Sequence, residues 1–306
     1  MTAIDINRGT TNVLLPAEVS REIWAKTIEQ SAFMQLARRI EMPGSGIDIQ
    51  TITGEPVANW VAETASKPVS THTFGKKVIR PYKMAVIEPF SDEFVRDKRA
   101  LYNECLNRLP KSLGKLFDGT IMGNSAPGTG FDALGGCQKV SLIPQGTATV
   151  YGQFISVDAA IAQADGIMNG IALAPQGKSI VLGATDGNGH PLFTAGPGSN
   201  TVGSILGADV YVNKGVYVAG TAGSAAAIVG IAGDFEDAVW GSVEGIKISK
   251  SDQATLTLAD SSTISLFQEN MVAIRVEIEL AFAVKNADEF VLLTGETPAA
   301  TTTTGA

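Results

Sequence analysis

Residues 271–284 read Met271-Val-Ala-Ile-Arg275-Val-Glu277-Ile-Glu279-Leu280-Ala-Phe282-Ala-Val284. Each even position, from Val272 to Val284, holds a large apolar side chain, whereas the odd positions hold Met271, Arg275, Glu277, Glu279 or alanine. Alternation of period two places all the large apolar groups on one face and predicts a single long amphipathic β-strand. At about 3.3 Å per residue it would run roughly 45 Å, far beyond the usual strand of about 5–6 residues, so the body that carries it must be extended. Upstream, Ser91 can cap a helix whose positive end Asp92 and Glu93 complement, and Phe94, Leu101, Cys105, Leu109, Leu113, Leu116 and Phe117 mark a buried stripe running to about Met122. Pro110 removes one backbone hydrogen bond from that helix and predicts a bend there. A long strand and a long helix together suggest a plate that tiles against its neighbours.

The chain has 306 residues, 44% of them hydrophobic, enough for a substantial core. Only 18% are charged, against a typical share of about 25%, so part of the exterior suits contact with other protein. The net charge of -8 argues against tight, sequence-independent binding of nucleic acid. Basic residues bunch at Arg38–Arg39, at Lys76, Lys77, Arg80 and Lys83, and at Arg96, Lys98 and Arg99, but without interleaved aromatic residues they read as solvated, ion-paired faces. The N-terminus shows no secretory signal and no apolar run is long enough to cross a bilayer, so no membrane partner is expected. Cys105 and Cys137 lack metal-ligand spacing and fit two free thiols in a reducing compartment.

Pro16, with Leu15, Val19, Ile23, Trp24 and Ile28 at helical spacing, predicts a short first helix, and Ser31 a cap for a second segment that ends at Pro43-Gly44-Ser45-Gly46. From 47 to 90 the pattern becomes strand-like, yet over 69–80 both faces are polar or small, with His72, Phe74 and Val78 among Thr, Lys and Gly. A two-stranded ribbon is marginal in water by itself, so this hairpin, with its tip near 63–69, should find support on another subunit. Beyond Phe131 the expectation is a mixed α/β unit: a helix over 156–168 and strands over 179–183, 209–213 and 226–232. The Thr-rich end from Gly295 has no evident reason to order itself.

Motifs that suggest chemistry do not hold up. Ala172-Leu-Ala-Pro-Gln-Gly177-Lys178-Ser179 approximates a phosphate loop, but the elements expected around it run helix then strand, the reverse of what such a loop needs, and Pro175 removes an amide. Gly128-Thr-Gly130-Phe-Asp-Ala133 lacks the upstream strand of a dinucleotide fingerprint, and Asp186-Gly-Asn188-Gly lacks the closing Glu of a calcium loop. His72 and His190 have no companion ligands or triad partners, and no Gly-x-Ser-x-Gly elbow occurs. No cofactor, metal site or turnover chemistry is expected.

Four stretches carry a resemblance. Val61-Ala-Glu63-Thr-Ala-Ser-Lys67-Pro68 resembles the tip of an extended hairpin, the E-loop, and Ser91-Asp-Glu-Phe-Val the opening of a spine helix. The third, Leu266-Phe-Gln-Glu-Asn270 through Glu277 and on to Asp288-Glu-Phe-Val-Leu-Leu-Thr294, resembles the closing strands of a peripheral domain, and Gly233-Asp-Phe-Glu-Asp-Ala-Val-Trp-Gly241 part of an axial domain. Distributed in order over about 15–294, these resemble the major capsid proteins of tailed bacteriophages.

The resemblance implies an α+β, HK97-like capsid fold: an N-terminal arm over 1–42, the E-loop over 43–90, a peripheral domain over 91–130 and 265–294, an axial domain over 131–264 and a disordered tail over 295–306. It implies a protein that is not an enzyme, whose partners are copies of itself in hexamers and pentamers. These would close an icosahedral head shell around double-stranded DNA held without sequence-specific binding, in a virion assembled in the host bacterial cytoplasm. A portal is a further implied partner, and because the chain begins almost at the arm, so is a separate scaffolding protein. The implied subunit interface comprises Trp60, Val61, Glu63, Lys67, Phe74, Lys76, Lys77 and Arg80.

Some members of that family join subunits by a Lys–Asn isopeptide bond promoted by a Glu, and Lys67, Asn270 and Glu277 stand at the matching positions. The alternative is that Lys67 forms a salt bridge, Asn270 caps a strand end and Glu277 pairs with a basic residue between subunits. An encapsulin, a cellular nanocompartment of the same fold that loads an enzyme cargo, is the alternative to the phage shell.

Overall fold

The computed structural model describes residues 26–296 apart from 29–30, 55–57, 62–65, 68, 70–72, 98, 124, 145–148, 186–189, 194–202, 222–224 and 259–260. In chain order the elements are α1 (Ala32–Leu36), β1 (Arg38–Glu41), β2 (Ile47–Gly54), β3 (Thr73–Ile79), β4 (Tyr82–Ser91), α2 (Asp92–Asp97), α3 (Arg99–Met122) and β5 (Gln138–Ser141). Next come α4 (Val150–Gln163), β6 (Gly170–Leu173), α5 (Pro175–Leu182), β7 (Ser204–Ile205), β8 (Ala208–Val212), a 3-10 turn at Lys214–Val216 and β9 (Ile228–Gly233). The last are β10 (Ala238–Ser242), β11 (Lys247–Ser251), β12 (Thr255–Thr257), β13 (Thr263–Ser265), β14 (Met271–Val284) and β15 (Phe290–Thr294). Of the expected first helix only residues 26–28 are described, and these are helical.

The long strand organises the molecule. One edge of β14 pairs antiparallel with β4 from Met271↔Ser91 to Leu280↔Tyr82; β11 lies against its first half, β10 against its last residues, and β1 runs parallel to β10. Its even face, Ile274 through Val284, enters a core shared with Leu109, Leu113, Phe117 and Ile121 of α3. Phe282 makes edge-on contact with Phe33 at 5.6 Å and Phe117 at 6.3 Å, and burying a ring of this size contributes about 2–3 kcal/mol. On the odd face Arg275 is exposed, whereas Ala281 and Ala283 are covered by the root of the hairpin.

A second sheet, ordered β5-β15-β9-β6-β8-β7, packs on the other side of this core. Phe290-Val-Leu-Leu-Thr294 is buried throughout because it faces apolar partners on both sides: Phe290 and Leu292 join the α3 core, Val291 and Leu293 the core under α4 and α5. Sheet membership divides the chain differently from the expected boundaries, since 238–251 pairs with β14 and β15 pairs with β5 and β9.

Several expectations are corrected. Residues 179–183 are not a strand; Pro175, at the first position of α5, starts a helix that continues to Leu182. The phosphate-loop look-alike therefore does follow a strand and enter a helix, contrary to the order expected. It is still no phosphate cradle: only Ala174 separates β6 from α5, and a Cβ on buried Gly177 would meet the Val229 carbonyl at 2.6 Å. The helix expected over 156–168 is α4, which begins earlier because Thr149 caps it, accepting the Gly152 amide at 3.1 Å.

Ser91 does cap the spine, accepting the Phe94 amide at 3.2 Å, but the spine is two helices, α2 and α3, and α3 stays helical through position 110. Leu116, expected in the buried stripe, is half-exposed. The expected tail begins in order, with the Gly295 amide donating to Ala227 and the Ala227 amide to the Glu296 carbonyl; the rest lies outside the described residues.

Candidate functional site

Strands β2 and β3 form a sheet of their own, in register from Ile47↔Ile79 to Gly54↔Thr73, with no other strand paired to them among the described residues. The root is fixed by burial. Ile79, Ile47 and Ile49 pack with Met42, Val239, Val243, Ala281 and Ala283. The chain enters the hairpin at Gly46, where φ is +86° and a Cβ would strike the Ile79 carbonyl at 2.4 Å, so only glycine fits. It leaves at Arg80, which is exposed and whose amide donates to the Gly130 carbonyl at 2.9 Å.

Polar contacts also fasten the root. The Lys77 ammonium reaches Asp132 at 2.6 Å and donates to the Val284 carbonyl, while the Asp132 carboxylate accepts the Val284 amide at 2.9 Å. Lys76 pairs with Asp48 across the hairpin at 2.6 Å. Lys76 and Lys77, expected at the subunit interface, are thus engaged within their own chain, because the register aims Lys77 at the last backbone groups of β14 and Lys76 at the facing strand.

Toward the tip the described residues are exposed. Trp60 is 104% exposed and Val69 91%, with Val61 and Lys67 exposed beside them. Phe74 lies in β3 opposite Ile52, and Glu63 lies outside the described residues. An indole in water forgoes about 2–3 kcal/mol of burial, so this tip is suited to a surface beyond its own subunit.

Asn270 stands immediately before β14 in a left-handed conformation (φ 51°), its carbonyl accepting the Asp92 amide at 3.0 Å, which joins the start of the spine to the start of the strand. Glu277 is ion-paired with Arg275 of the same strand at 3.2 Å. The Glu277 partner is therefore intrasubunit, where a basic residue between subunits was one expectation. Seven residues of extended chain put Asn270 and Glu277 roughly 23 Å apart, so the two cannot act on one lysine from within one subunit.

Two further features escaped the sequence reading. Asp118 is fully buried on α3 and holds the start of α1, accepting from Ser31 Oγ at 2.5 Å and from the Ala32 amide at 2.9 Å; burial pushes its carboxyl up to about 7 despite these bonds. Its position next to buried Phe117, on the inward side of a regular helix, was the available signal. Cys137 donates to the Ala287 carbonyl at 3.2 Å, and burial above all pushes its thiol up to about 11, which keeps it unreactive. Among the described residues no cluster of His, Cys, Asp or Glu could hold a metal, and no helix is long and apolar enough to cross a membrane.

A long strand backed by a spine helix, a second sheet and a hairpin anchored at its root define the architecture of a shell-building subunit, and comparison with known proteins agrees. Residues 11–295 match the phage capsid family, and the chain belongs to that family. It is 31% identical over 298 residues to the "Probable major capsid protein gp17" of Mycobacterium phage D29, covering 92% of this chain and 89% of that one. The protein of the same description from Mycobacterium phage L5 is 32% identical with the same coverage. Among solved structures, a chain from Gordonia phage Cozz aligns with a TM-score of 0.71 at 19% identity over 87% of both chains. A chain from Mycobacterium phage Adephagia aligns with a TM-score of 0.70 at 20% identity, over 88% of this chain and 91% of that one. The fold is the HK97-like capsid fold, of α+β class, as expected.

Proposed function

We propose that the chain is the major capsid protein of a tailed phage, assembling as hexamers and pentamers into an icosahedral shell around double-stranded DNA. The observation that carries this reading is the hairpin: its root is bound by Lys77, Ile79 and Gly46, while its tip presents Trp60, Val61, Lys67 and Val69 to solvent. Such a lever suits a surface on the adjacent subunit, and its repetition closes a ring. Family membership and the phage relatives favour the head shell over a nanocompartment.

In this reading Trp60, Val61, Glu63, Lys67 and Phe74 make lateral contacts, with Arg80 at the edge of that surface. The acidic balance of -8 keeps the wall from gripping the genome, so DNA is enclosed without sequence preference. A portal, a scaffolding protein and assembly in the host cytoplasm complete the picture. Lys67, Asn270 and Glu277 act non-covalently, since Glu277 is already paired with Arg275.

Negative-stain microscopy of the expressed chain tests the reading. Shells, tubes or capsomer rings are expected; monomers at every concentration would overturn it.

A further inference from the structure

Helix α3 turns Leu109, Leu113, Phe117 and Ile121 into the core, and on its opposite side Arg108, Lys111, Ser112 and Lys115 are exposed. At helical spacing Arg108, Lys111 and Lys115 fall in one narrow stripe, and at about 1.5 Å per residue it runs roughly 10 Å. The 3-10 turn packs beside it, so closely that a Cβ on Gly215 would come within 3.1 Å of the Lys115 Cα, and brings the exposed Lys214 alongside. Two separate parts of the chain thus build one basic ridge on an acidic protein.

Among the described residues, nothing neutralises the three lysines of this ridge. Residues 111–122 contain one acid, Asp118, which is fully buried and bonded to Ser31 Oγ and the Ala32 amide. Lys111, Lys115 and Lys214 make no ion pair among the described residues. On the far face of the β14 sheet, by contrast, Lys83 is paired with Glu279 at 3.3 Å and Lys247 stands opposite Glu277. Like charges one turn apart, as at Lys111 and Lys115, destabilise a helix, and a bound polyanion relieves that repulsion.

We propose that this ridge is where the wall meets packaged DNA: the α3 face lines the inside of the shell, and Arg108, Lys111, Lys115 and Lys214 lie against the phosphates of a duplex. The inference rests on the proposed head shell. The chemistry selects phosphate over protein, because Ser112 sits among the cations and no aromatic residue occurs between 108 and 116, whereas a protein partner needs a large buried anchor. A single strand would call for stacking rings, so the fit is to a duplex, which presents roughly six charges over 10 Å of axis. So few contacts per subunit, set against a net charge of -8, make the hold weak, indifferent to sequence and sensitive to salt.

Amine-reactive labelling read by mass spectrometry, on DNA-filled particles and on the same particles emptied of DNA, tests the assignment. Lys111, Lys115 and Lys214 should react several-fold faster once the DNA is gone, while Lys83 and Lys247 stay unchanged. Equal labelling of the ridge before and after, as an outward-facing ridge or a bound acidic protein would give, overturns the inference and leaves the shell standing. A parallel rise at Lys83 and Lys247 overturns it too. On the full-length chain with a random-sequence duplex, Lys111→Gln, Lys115→Gln and Lys214→Gln together should flatten the slope of log affinity against log salt by about 2.7, and Lys83→Gln should not. An unchanged slope in the triple variant refutes the ridge without any need for particles. A chain that forms no particles overturns the shell, and this inference with it.

Discussion

Lys77 and Asp132 meet at 2.6 Å beneath the hairpin, and the same carboxylate accepts the amide of Val284, the last residue of the long strand. The lever and the strand it stands on thus share one polar joint, partly shielded from water. Lys77→Ala, Asp132→Asn and the double variant should give a coupling of about 1 kcal/mol in denaturant titrations, because each single change leaves a half-buried partner unmatched. Simple additivity would show that the apolar contacts of Ile79 and Met42 suffice to hold the root.

Trp60→Ala separates folding from assembly. The side chain touches water in the isolated subunit, so unfolding of the unassembled chain should change by no more than about 0.5 kcal/mol, while the yield of particles in micrographs falls sharply. A large loss of subunit stability would mean that Trp60 packs on its own chain.

Glu289 is buried, its Oε2 has no hydrogen-bond partner, and burial and then the neighbouring Asp237 raise its pKa. The folded state therefore holds this proton more tightly than the unfolded chain, and stability declines as pH climbs from about 4.5 through the folded value. Glu289→Gln should be the more stable protein at pH 7, by about 1 kcal/mol, with the difference vanishing toward pH 4. Thermal melts across that range read the effect; an unchanged difference at both ends would contradict it.

Boiling mature particles in detergent addresses the weld. With Glu277 paired to Arg275, a single monomer band is expected. A ladder of oligomers that disappears in Lys67→Ala would instead establish the covalent link.

Much of the architecture was legible where periodicity was long. Fourteen residues of alternation located β14, and Ser91 with Asp92 and Glu93 located the start of the spine. Short apolar runs misled. Ser179-Ile-Val-Leu-Gly183 reads equally well as strand or helix, and Pro175 at the first helical position decided it. Ser156, where that helix was expected to begin, bonds back to the Gly152 carbonyl inside α4, because Val150, Phe154, Val157 and Ile161 extend the buried stripe to Thr149. At the hairpin the two-stranded ribbon could be read from the strand-like pattern over 47–90, whereas the engagement of Lys77 could not, since it depends on a contact 207 residues away in sequence.

The most direct test of the central claim is a cryo-microscopy map of purified particles. It should show closed shells in which the segment around Trp60, Lys67 and Val69 rests on the adjacent subunit. Particles in which that segment folds back over its own β14, or a chain that never associates, would contradict it.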